Sequence, residues 1–269
     1  MRIANIYKQE LKFYRRSTII WMLVFALGVF GYLSLFNSFT QDVAATTKIL
    51  EGMPPVVRAA LGIQLKSFFS IFGFFGYLLT YFWMVGAVQA SNLGIGINSK
   101  EVSGKTADFL LSKPVSRFKV LTSKLLAALT LIILTNIVFS LSSYFSALIF
   151  SKTSFDAKIF FLVCSSMFFV QLFFLVLGYL ISVLVPKVKT VIAYSLPLVF
   201  GFFIFGLLDS VIGVGAMRYI TPFKYFDVMY IIAHKSFEYE YLLVEAAVIV
   251  VCLIATYIIY LSKDIQAAA

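Results

Sequence analysis

The chain has 269 residues, of which 61% are hydrophobic and only 13% are charged. About a quarter of the residues of an average soluble domain are charged, so this composition excludes a soluble fold and predicts a polytopic membrane protein. The formal net charge of +10 would suggest nucleic acid as the partner of a soluble chain, but in a membrane protein the positive-inside rule accounts for it.

The N-terminal segment, residues 1–16, combines basic and apolar residues at helical spacing. The basic residues are Arg2, Lys8, Lys12, Arg15 and Arg16, and the apolar residues Ile3, Ile6, Tyr7 and Leu11 share one helical face. This pattern predicts an amphipathic helix on the inner leaflet that leads into the first span. A secretory signal peptide is the alternative, but the apolar run is too long for one and no cleavage site follows at the right distance.

Six apolar segments are long enough to cross a bilayer. They occupy residues 17–39, 68–90, 125–150, 159–185, 190–208 and 241–261. The polar stretch that follows the first of them includes a short helix predicted at residues 56–62. Six membrane helices predict an all-α fold. Because no repeat or low-complexity linker interrupts the chain, we predict that residues 1–269 form a single membrane domain.

Residues 91–124, between spans 2 and 3, form the longest polar interruption of the chain, with six basic residues and two acids. Pro114 ends any helix before it, and Ser116 occupies the N-cap position of the next one. Apolar residues then recur at the spacing of one helical face: Phe118, Leu121 and Leu125. We predict two short helices that meet at a proline elbow on the membrane surface, with basic side chains turned towards water and lipid phosphate.

The same stretch carries an ordered motif: an acid, a Gly-x-Thr step, a Leu-Leu pair, a Pro-Val-Ser-Arg run and a lysine. These residues are Glu101, Gly104, Thr106, Leu110, Leu111, Pro114, Val115, Ser116, Arg117 and Lys124. Their order resembles the cytoplasmic loop of ABC-2 type permeases, the membrane subunits of ATP-driven exporters. The chain departs from the pattern at Lys105, which separates a glycine and a threonine that we expect to be adjacent.

The resemblance implies that the loop forms a coupling helix, which docks into a cleft of a separate ABC ATPase subunit. The residues it assigns to ATPase coupling are Glu101, Gly104, Thr106, Asp108, Leu110, Leu111, Pro114 and Arg117. It also implies that this chain binds no cofactor and that ATP and Mg²⁺ bind to the partner subunit. Two permeases, either two copies of this chain or this chain and a sister permease, would work together.

Two other interpretations of this stretch are open. Gly104-Lys105-Thr106 looks like the end of a phosphate-binding P-loop, but that loop needs a glycine where Ser99 stands and a strand before it. The second is a basic loop that only sets the membrane topology, which needs the charges but not the helix–proline–helix order.

The distribution of basic residues predicts the orientation. With the N-terminus inside, fourteen of the 22 lysines and arginines lie on the inner side, and the outer loops hold the other eight together with seven acids. We therefore expect a plasma-membrane protein with both termini in the cytoplasm.

Residues 209–240 form a second long polar region that is rich in aromatic residues. Gly213 and Gly215 permit a bend, Pro222 breaks a continuous helix, and the aromatic residues beyond it share one helical face. Those aromatic residues are Phe223, Phe226 and Tyr230. We predict a re-entrant helix–turn–helix that dips into the outer leaflet and caps the exit of a transport path; a flexible connector is the alternative. The candidate outer-gate residues are Pro222, Phe223, Phe226 and Glu245.

Polar chemistry within the spans is sparse. Glu245 is either a cargo contact or gate, or an interfacial carboxylate that reaches outward or pairs with a lysine. Asn136 and Gln171 are typical of interhelical hydrogen bonds. Cys164 and Cys252 lie in separate apolar runs, which indicates buried thiols rather than a disulfide. The lone His234 rules out a multi-histidine metal site, and we expect no metal. The chain has no His-Glu-x-x-His motif, no paired aspartates within one span and no Ser/His pair with a carboxylate near it, so we expect no catalytic residues.

Aromatic residues recur in spans 2 and 5. They are Phe72, Phe75, Tyr81 and Phe82 in span 2 and Phe200, Phe202, Phe203 and Phe205 in span 5. Such residues either pack against helices and lipid in the ordinary way or form an adaptable apolar wall for amphipathic cargo.

We predict a transport subunit without an ATPase site, which moves a hydrophobic or amphipathic substrate (a peptide, an antibiotic or a lipid-like molecule) outward. Its partners would be an ABC ATPase subunit, a second permease and membrane lipid, but no nucleic acid. The alternatives are a membrane-embedded lipid-modifying enzyme with Glu101 or Asp108 as its acid, and an ion-coupled carrier, which needs buried charges at mid-membrane.

Overall fold

The computed structural model describes residues 3–55, 57–58, 65–103, 115–151, 153–185, 187–212 and 215–262. Within these ranges the chain is helical and contains no strand. The helices are α1 Ile3–Ser34, α2 Phe36–Gln41, α3 Val43–Glu51, α4 Leu65–Phe68, α5 Ile71–Ser103, α6 Arg117–Phe150, α7 Ala157–Leu184, α8 Ile192–Ile212, α9 Val228–His234 and α10 Tyr239–Ser262. Two 3-10 turns, Ala216–Tyr219 and Pro222–Lys224, lie between α8 and α9.

Six of the described helices, α1, α5, α6, α7, α8 and α10, are long and apolar enough to cross a membrane. The predicted all-α fold with six spans is confirmed, and the chain is a multi-pass membrane protein. Burial distinguishes the six: 67% of the most apolar stretch of α7 is buried inside the bundle, against 17% for α8 and for α10. Helix α7 is therefore central, and α8 and α10 are peripheral.

The N-terminal segment and the first span form one unbroken helix, α1, rather than two. The segment is amphipathic as predicted, because Ile6 is buried while Lys8 and Lys12 are exposed. It lies along α6, where the hydroxyls of Tyr7 and Thr130 share a hydrogen bond of 2.9 Å. The short helix predicted at residues 56–62 lies largely outside the described residues.

The predicted break at residue 91 is wrong, because α5 continues to Ser103. Two polar residues of this extension, Asn98 and Ser99, are buried and have hydrogen-bond partners within the bundle. Asn98 Nδ2 donates a hydrogen bond of 2.9 Å to Ser182 Oγ on α7, and Ser99 Oγ donates to the carbonyl O of Ile95 one turn earlier. The polarity of residues 98 and 99 therefore marks buried hydrogen bonds inside the bundle, one of them between helices, and not an exit from the membrane.

Helices α5 and α7 approach each other closely through glycines. A Cβ added at Gly94 would overlap the backbone carbonyl O of Leu175, and one at Gly178 would lie 2.7 Å from the carbonyl O of Ser91. Only glycine fits such a contact between backbones, which is the usual basis of tight helix packing in membranes. These two helices form the centre of the bundle.

A network of buried amides joins α5, α6 and α7 in the middle of the bundle. Gln171 Nε2 donates to Gln89 Oε1 (2.9 Å), Asn136 Nδ2 donates to Gln171 Oε1 (2.5 Å), and Gln89 Nε2 donates to Thr135 Oγ1 (3.2 Å). The predicted role of Asn136 and Gln171 in interhelical hydrogen bonds is confirmed. The two cysteines are buried free thiols, also as predicted.

Candidate functional site

One end of the bundle carries a cluster of buried and partly buried charges, and we call it the charged end. Lys124, near the start of α6, has only 2% of its side chain exposed and forms an ion pair with Glu101 on α5. Its Nζ also donates a hydrogen bond of 2.8 Å to the carbonyl O of Ile97. The prediction that basic residues of this stretch face water is wrong for Lys124, because the extended α5 places an acid beside it.

A second ion pair attaches the N-terminal segment to the same place. Lys100 on α5 pairs with Glu10 on α1, and its Nζ lies 4.2 Å from the centre of the Phe13 ring and 5.1 Å from that of Tyr14. Glu10 is 4% exposed, so this pair is shielded from solvent on the α1 side. We call Glu10, Lys100, Glu101 and Lys124 the charge cluster. The charge cluster joins three helices: α1, and the two helices on either side of the segment 104–114, α5 and α6.

Of the eight residues predicted to couple to an ATPase, the structure describes two, Glu101 and Arg117. The other six, Gly104, Thr106, Asp108, Leu110, Leu111 and Pro114, lie outside the described residues. The predicted N-cap is confirmed, since Ser116 Oγ accepts a hydrogen bond of 3.4 Å from the backbone N–H of Lys119. Phe118, Leu121 and Leu125 all lie on α6 at the predicted helical spacing, but they are not equally buried. Leu121 is buried, whereas Phe118 is 54% exposed and contacts the Tyr257 ring of α10.

At the opposite end, residues 215–238 (the loop segment) fold into two 3-10 turns and α9 rather than the predicted helix–turn–helix. Gly215 has a φ of +71°, so the predicted bend is present there. Phe223 and Phe226 are each 4% exposed, but they lie on different elements from Tyr230 and share no helical face with it. The reason is that Asp227 starts a new helix, its Oδ1 accepting a hydrogen bond from the backbone N–H of Met229 (2.8 Å).

The loop segment is packed onto the bundle. Thr221 Oγ1 donates a hydrogen bond of 2.8 Å to the carbonyl O of Phe202 on α8, and Tyr225 Oη donates one of 2.7 Å to the carbonyl O of Tyr219. Phe226 stacks against Phe169 of α7, with 5.7 Å between ring centres. The alternative of a flexible connector does not fit these contacts.

A cavity of about 300 Å³ lies between α5, α8 and the loop segment. Its aromatic walls include Tyr77, Trp83, Phe203, Phe223 and Phe226, and its charged residues are Arg218, Lys224 and Asp227. Two of the four predicted gate residues, Phe223 and Phe226, therefore line one cavity. Pro222 and Glu245 do not line it. The sequence-based prediction gave these charged residues no role. The position of Lys224, two residues after Pro222 in an aromatic stretch, could have indicated a charge in the wall of a site.

Arg218 organises the loop segment around this cavity. It forms an ion pair with Glu238, its Nε donates a hydrogen bond of 2.9 Å to the carbonyl O of Lys224, and its guanidinium lies 4.0 Å from the centre of the Tyr241 ring. Lys224 donates to Ser210 Oγ on α8. Burial lowers the pKa of Lys224, while the nearby carboxylates of Asp209 and Asp227 oppose that shift.

Glu245 is buried in α10, with 1% of the residue exposed. Neither carboxylate oxygen has a hydrogen-bond partner within the part of the chain that the structure describes. The alternative of an interfacial carboxylate that reaches outward or pairs with a lysine is therefore wrong. Burial, together with the nearby Glu245 carboxylate, raises the pKa of Tyr225 to about 12.

The described residues contain no group of three or more His, Cys, Asp or Glu side chains that could hold a metal ion. Comparison with known families matches residues 4–265 to a family described as "ABC-2 family transporter protein". No curated protein matches the chain. The matched range includes the charge cluster, the segment 104–114 and the cavity.

Proposed function

Because the chain belongs to the ABC-2 family of transporter proteins, we propose that it is the permease subunit of an ATP-binding-cassette exporter, with residues 1–269 forming one permease domain. The observation that carries this proposal is the family match over residues 4–265 in a chain with six apolar helices. The permease hydrolyses nothing itself. A separate ABC ATPase subunit binds ATP and Mg²⁺ and supplies the energy.

The segment 104–114 docks onto that ATPase. The charge cluster supports this proposal, because its partly buried ion pairs join the helices on either side of the segment, α5 and α6, to each other and to α1. A force applied to the segment therefore acts on three membrane helices together. We assign the contact to Glu101, Gly104, Thr106, Asp108, Leu110, Leu111, Pro114 and Arg117.

Closure of the ATPase on ATP then tilts α5 and α6 and converts an inward-open path into an outward-open one. The path lies between two permeases, either two copies of this chain or this chain and a sister permease. Both termini and the segment 104–114 lie in the cytoplasm, in agreement with the excess of basic residues there. The loop segment, with Pro222, Phe223, Phe226 and Glu245, forms the outer gate.

The substrate is a hydrophobic or amphipathic molecule. The aromatic walls of the cavity beneath the loop segment support this choice, since large apolar rings with a few polar groups are typical of sites for such ligands. The described spans offer few ionised groups to a path for ions or sugars.

The docking proposal is tested by replacing Leu110 and Leu111 together with Asp, or Arg117 with Glu. Carboxylates in an apolar docked face, or a reversed charge at its edge, weaken the complex. We expect both variants to insert normally but to lose co-purification with a co-expressed ABC ATPase, or to hydrolyse ATP without export. Lys187→Glu is the control, because it reverses an exposed charge on the same side of the membrane but outside the loop. Normal co-purification and export by both variants contradict the docking assignment.

A further inference from the structure

The cavity beneath the loop segment is a formed site within one copy of the chain. About 300 Å³ of space lies between α5, α8 and the loop segment, at the lower end of the range for small-molecule sites. Trp83, 2% exposed, forms part of its wall, and its Nε1 donates a hydrogen bond of 3.1 Å to Ser166 Oγ. The indole is therefore held in one orientation at the edge of the cavity.

The charged side chains on the cavity wall differ in whether their charge is already balanced by an ion pair or by hydrogen bonds. Arg218 is neutralised by its ion pair with Glu238. Asp227 accepts hydrogen bonds from two backbone N–H groups at the start of α9, those of Met229 (2.8 Å) and Tyr230 (3.3 Å). Among the residues that the structure describes, Lys224 donates to a neutral hydroxyl and takes part in no ion pair.

An ammonium that is partly buried among aromatic rings and lacks a carboxylate in contact gains from an anionic partner. Burial lowers the pKa of Lys224, and the carboxylates of Asp209 and Asp227 oppose that shift without forming an ion pair with it among the described residues. Asp227 is already engaged by two backbone N–H groups at the helix start. An acidic group entering the cavity would complete the hydrogen bonding of Lys224, while an apolar chain attached to it would contact Trp83, Phe203 and Phe226.

We propose that this cavity binds an amphipathic molecule with an acidic head, a carboxylate or a phosphate, whose charge is held by Lys224 and whose apolar part lies against Trp83. The proposal rests on the permease function and narrows its substrate class. The same chemistry could reach the cavity from a transported amphiphile or from an anionic lipid of the membrane, and the experiment separates the two.

Trp83 provides a direct measurement, because the chain has only two tryptophans. In a Trp21→Phe background, purified protein in nanodiscs of phosphatidylcholine is titrated with chain-brominated dodecanoate, dodecyl phosphate and dodecyl trimethylammonium. Bromine quenches tryptophan fluorescence on contact. We expect saturable quenching by the two anionic probes and about tenfold weaker quenching by the cationic one. Equal quenching by all three probes, or no saturable quenching, would overturn the proposal. This outcome is measured in protein that keeps Lys224.

Lys224 is tested in the same assay. Lys224→Met should weaken quenching by the anionic probes about tenfold or more, and Lys224→Arg should retain most of it. Lys158→Met is the matched control, because Lys158 is an exposed lysine at the same end of the bundle that does not line the cavity. Anionic binding that survives in Lys224→Met overturns the assignment of this residue.

Nanodiscs with brominated phosphatidylglycerol or brominated phosphatidylcholine distinguish the two sources. If only brominated phosphatidylglycerol gives quenching that depends on Lys224, the cavity binds an anionic lipid. If only the free amphiphiles do, the cavity binds cargo. Both results agree with the proposed chemistry.

The assay contains no ATPase. Loss of ATPase co-purification without loss of quenching therefore bears on docking alone, and the reverse result bears on the cavity alone.

Discussion

At the residue scale, the charge cluster shows how a membrane protein can bury charged side chains by pairing them with each other. Lys124 is 2% exposed, yet it is compensated by Glu101 and by the carbonyl O of Ile97. A buried pair of this kind contributes little relative to apolar residues of the same size, but removing one partner leaves an uncompensated charge. The two partners should therefore be strongly coupled in their effect on stability.

We predict that Glu101→Gln lowers the free energy of unfolding by about 3 kcal/mol, because it leaves the Lys124 ammonium buried without its carboxylate. The double variant Glu101→Gln/Lys124→Met should lose clearly less than the sum of the two single variants. Unfolding by sodium dodecyl sulfate in mixed micelles measures these free energies. Lys119→Met, on an exposed position one turn earlier, should change stability by about 0.5 kcal/mol or less. Strict additivity of the two cluster variants would show that the ion pair contributes no coupling.

At the element scale, the pair α5 and α7 determines which parts of the bundle can move. The backbones touch at Gly94 and Gly178, and the amide network adds hydrogen bonds from Gln171 towards α5 and α6. By contrast, α8 and α10 are mostly unburied within one copy of the chain. The central pair is therefore expected to tilt as one unit during transport, with contacts changing where α8 and α10 meet it.

Gly94→Ala tests this packing. The added Cβ would overlap the Leu175 carbonyl O, which belongs to a backbone and cannot rotate away, so we expect a loss of several kcal/mol or failure to fold. Gly201→Ala in α8 is the matched control. No atom lies within 4 Å of a Cβ at that position, and alanine favours a helix over glycine by about 1 kcal/mol, so stability should stay equal or rise. Thermal aggregation in detergent ranks the two variants, and equal loss in both would show that the helix crossing tolerates a wider separation.

At the scale of the whole molecule, the orientation in the membrane determines whether the segment 104–114 can reach an ATPase. Both ends of that segment lie at the charged end, and the loop segment lies at the other. The excess of basic residues favours the charged end inside. Cysteine labelling can measure this directly, because Cys164 and Cys252 are buried and provide a low background.

We predict that cysteines introduced at Ser103 and Ser112 react with an impermeant thiol reagent only after the inner face is opened. Cysteines at Thr47 and Ser236 should react in intact cells. The reverse pattern would place the charged end outside and remove the docking proposal, although the cavity and its binding assay would be unaffected.

The sequence by itself determined the class of protein, the number of spans and the local signals within them. Length and hydrophobicity are sufficient for the six spans, because a helix must satisfy its own backbone to cross a bilayer. Local rules also predicted the cap at Ser116 and the bend at Gly215, since both depend on a few neighbouring residues.

Only the tertiary structure decided which side each polar or aromatic group would face. Residues 91–103 have the composition of a surface loop, yet they continue α5, because the partners of Asn98 and Lys100 lie on α7 and α1. Phe223 and Phe226 turn inward to a cavity wall, and Lys224 lies beside them with a serine of α8 as its partner. Helical periodicity describes one element at a time, whereas the partner of a buried polar group comes from a helix far away in the sequence. The charge cluster and the cavity could therefore be recognised only when the helices were placed together.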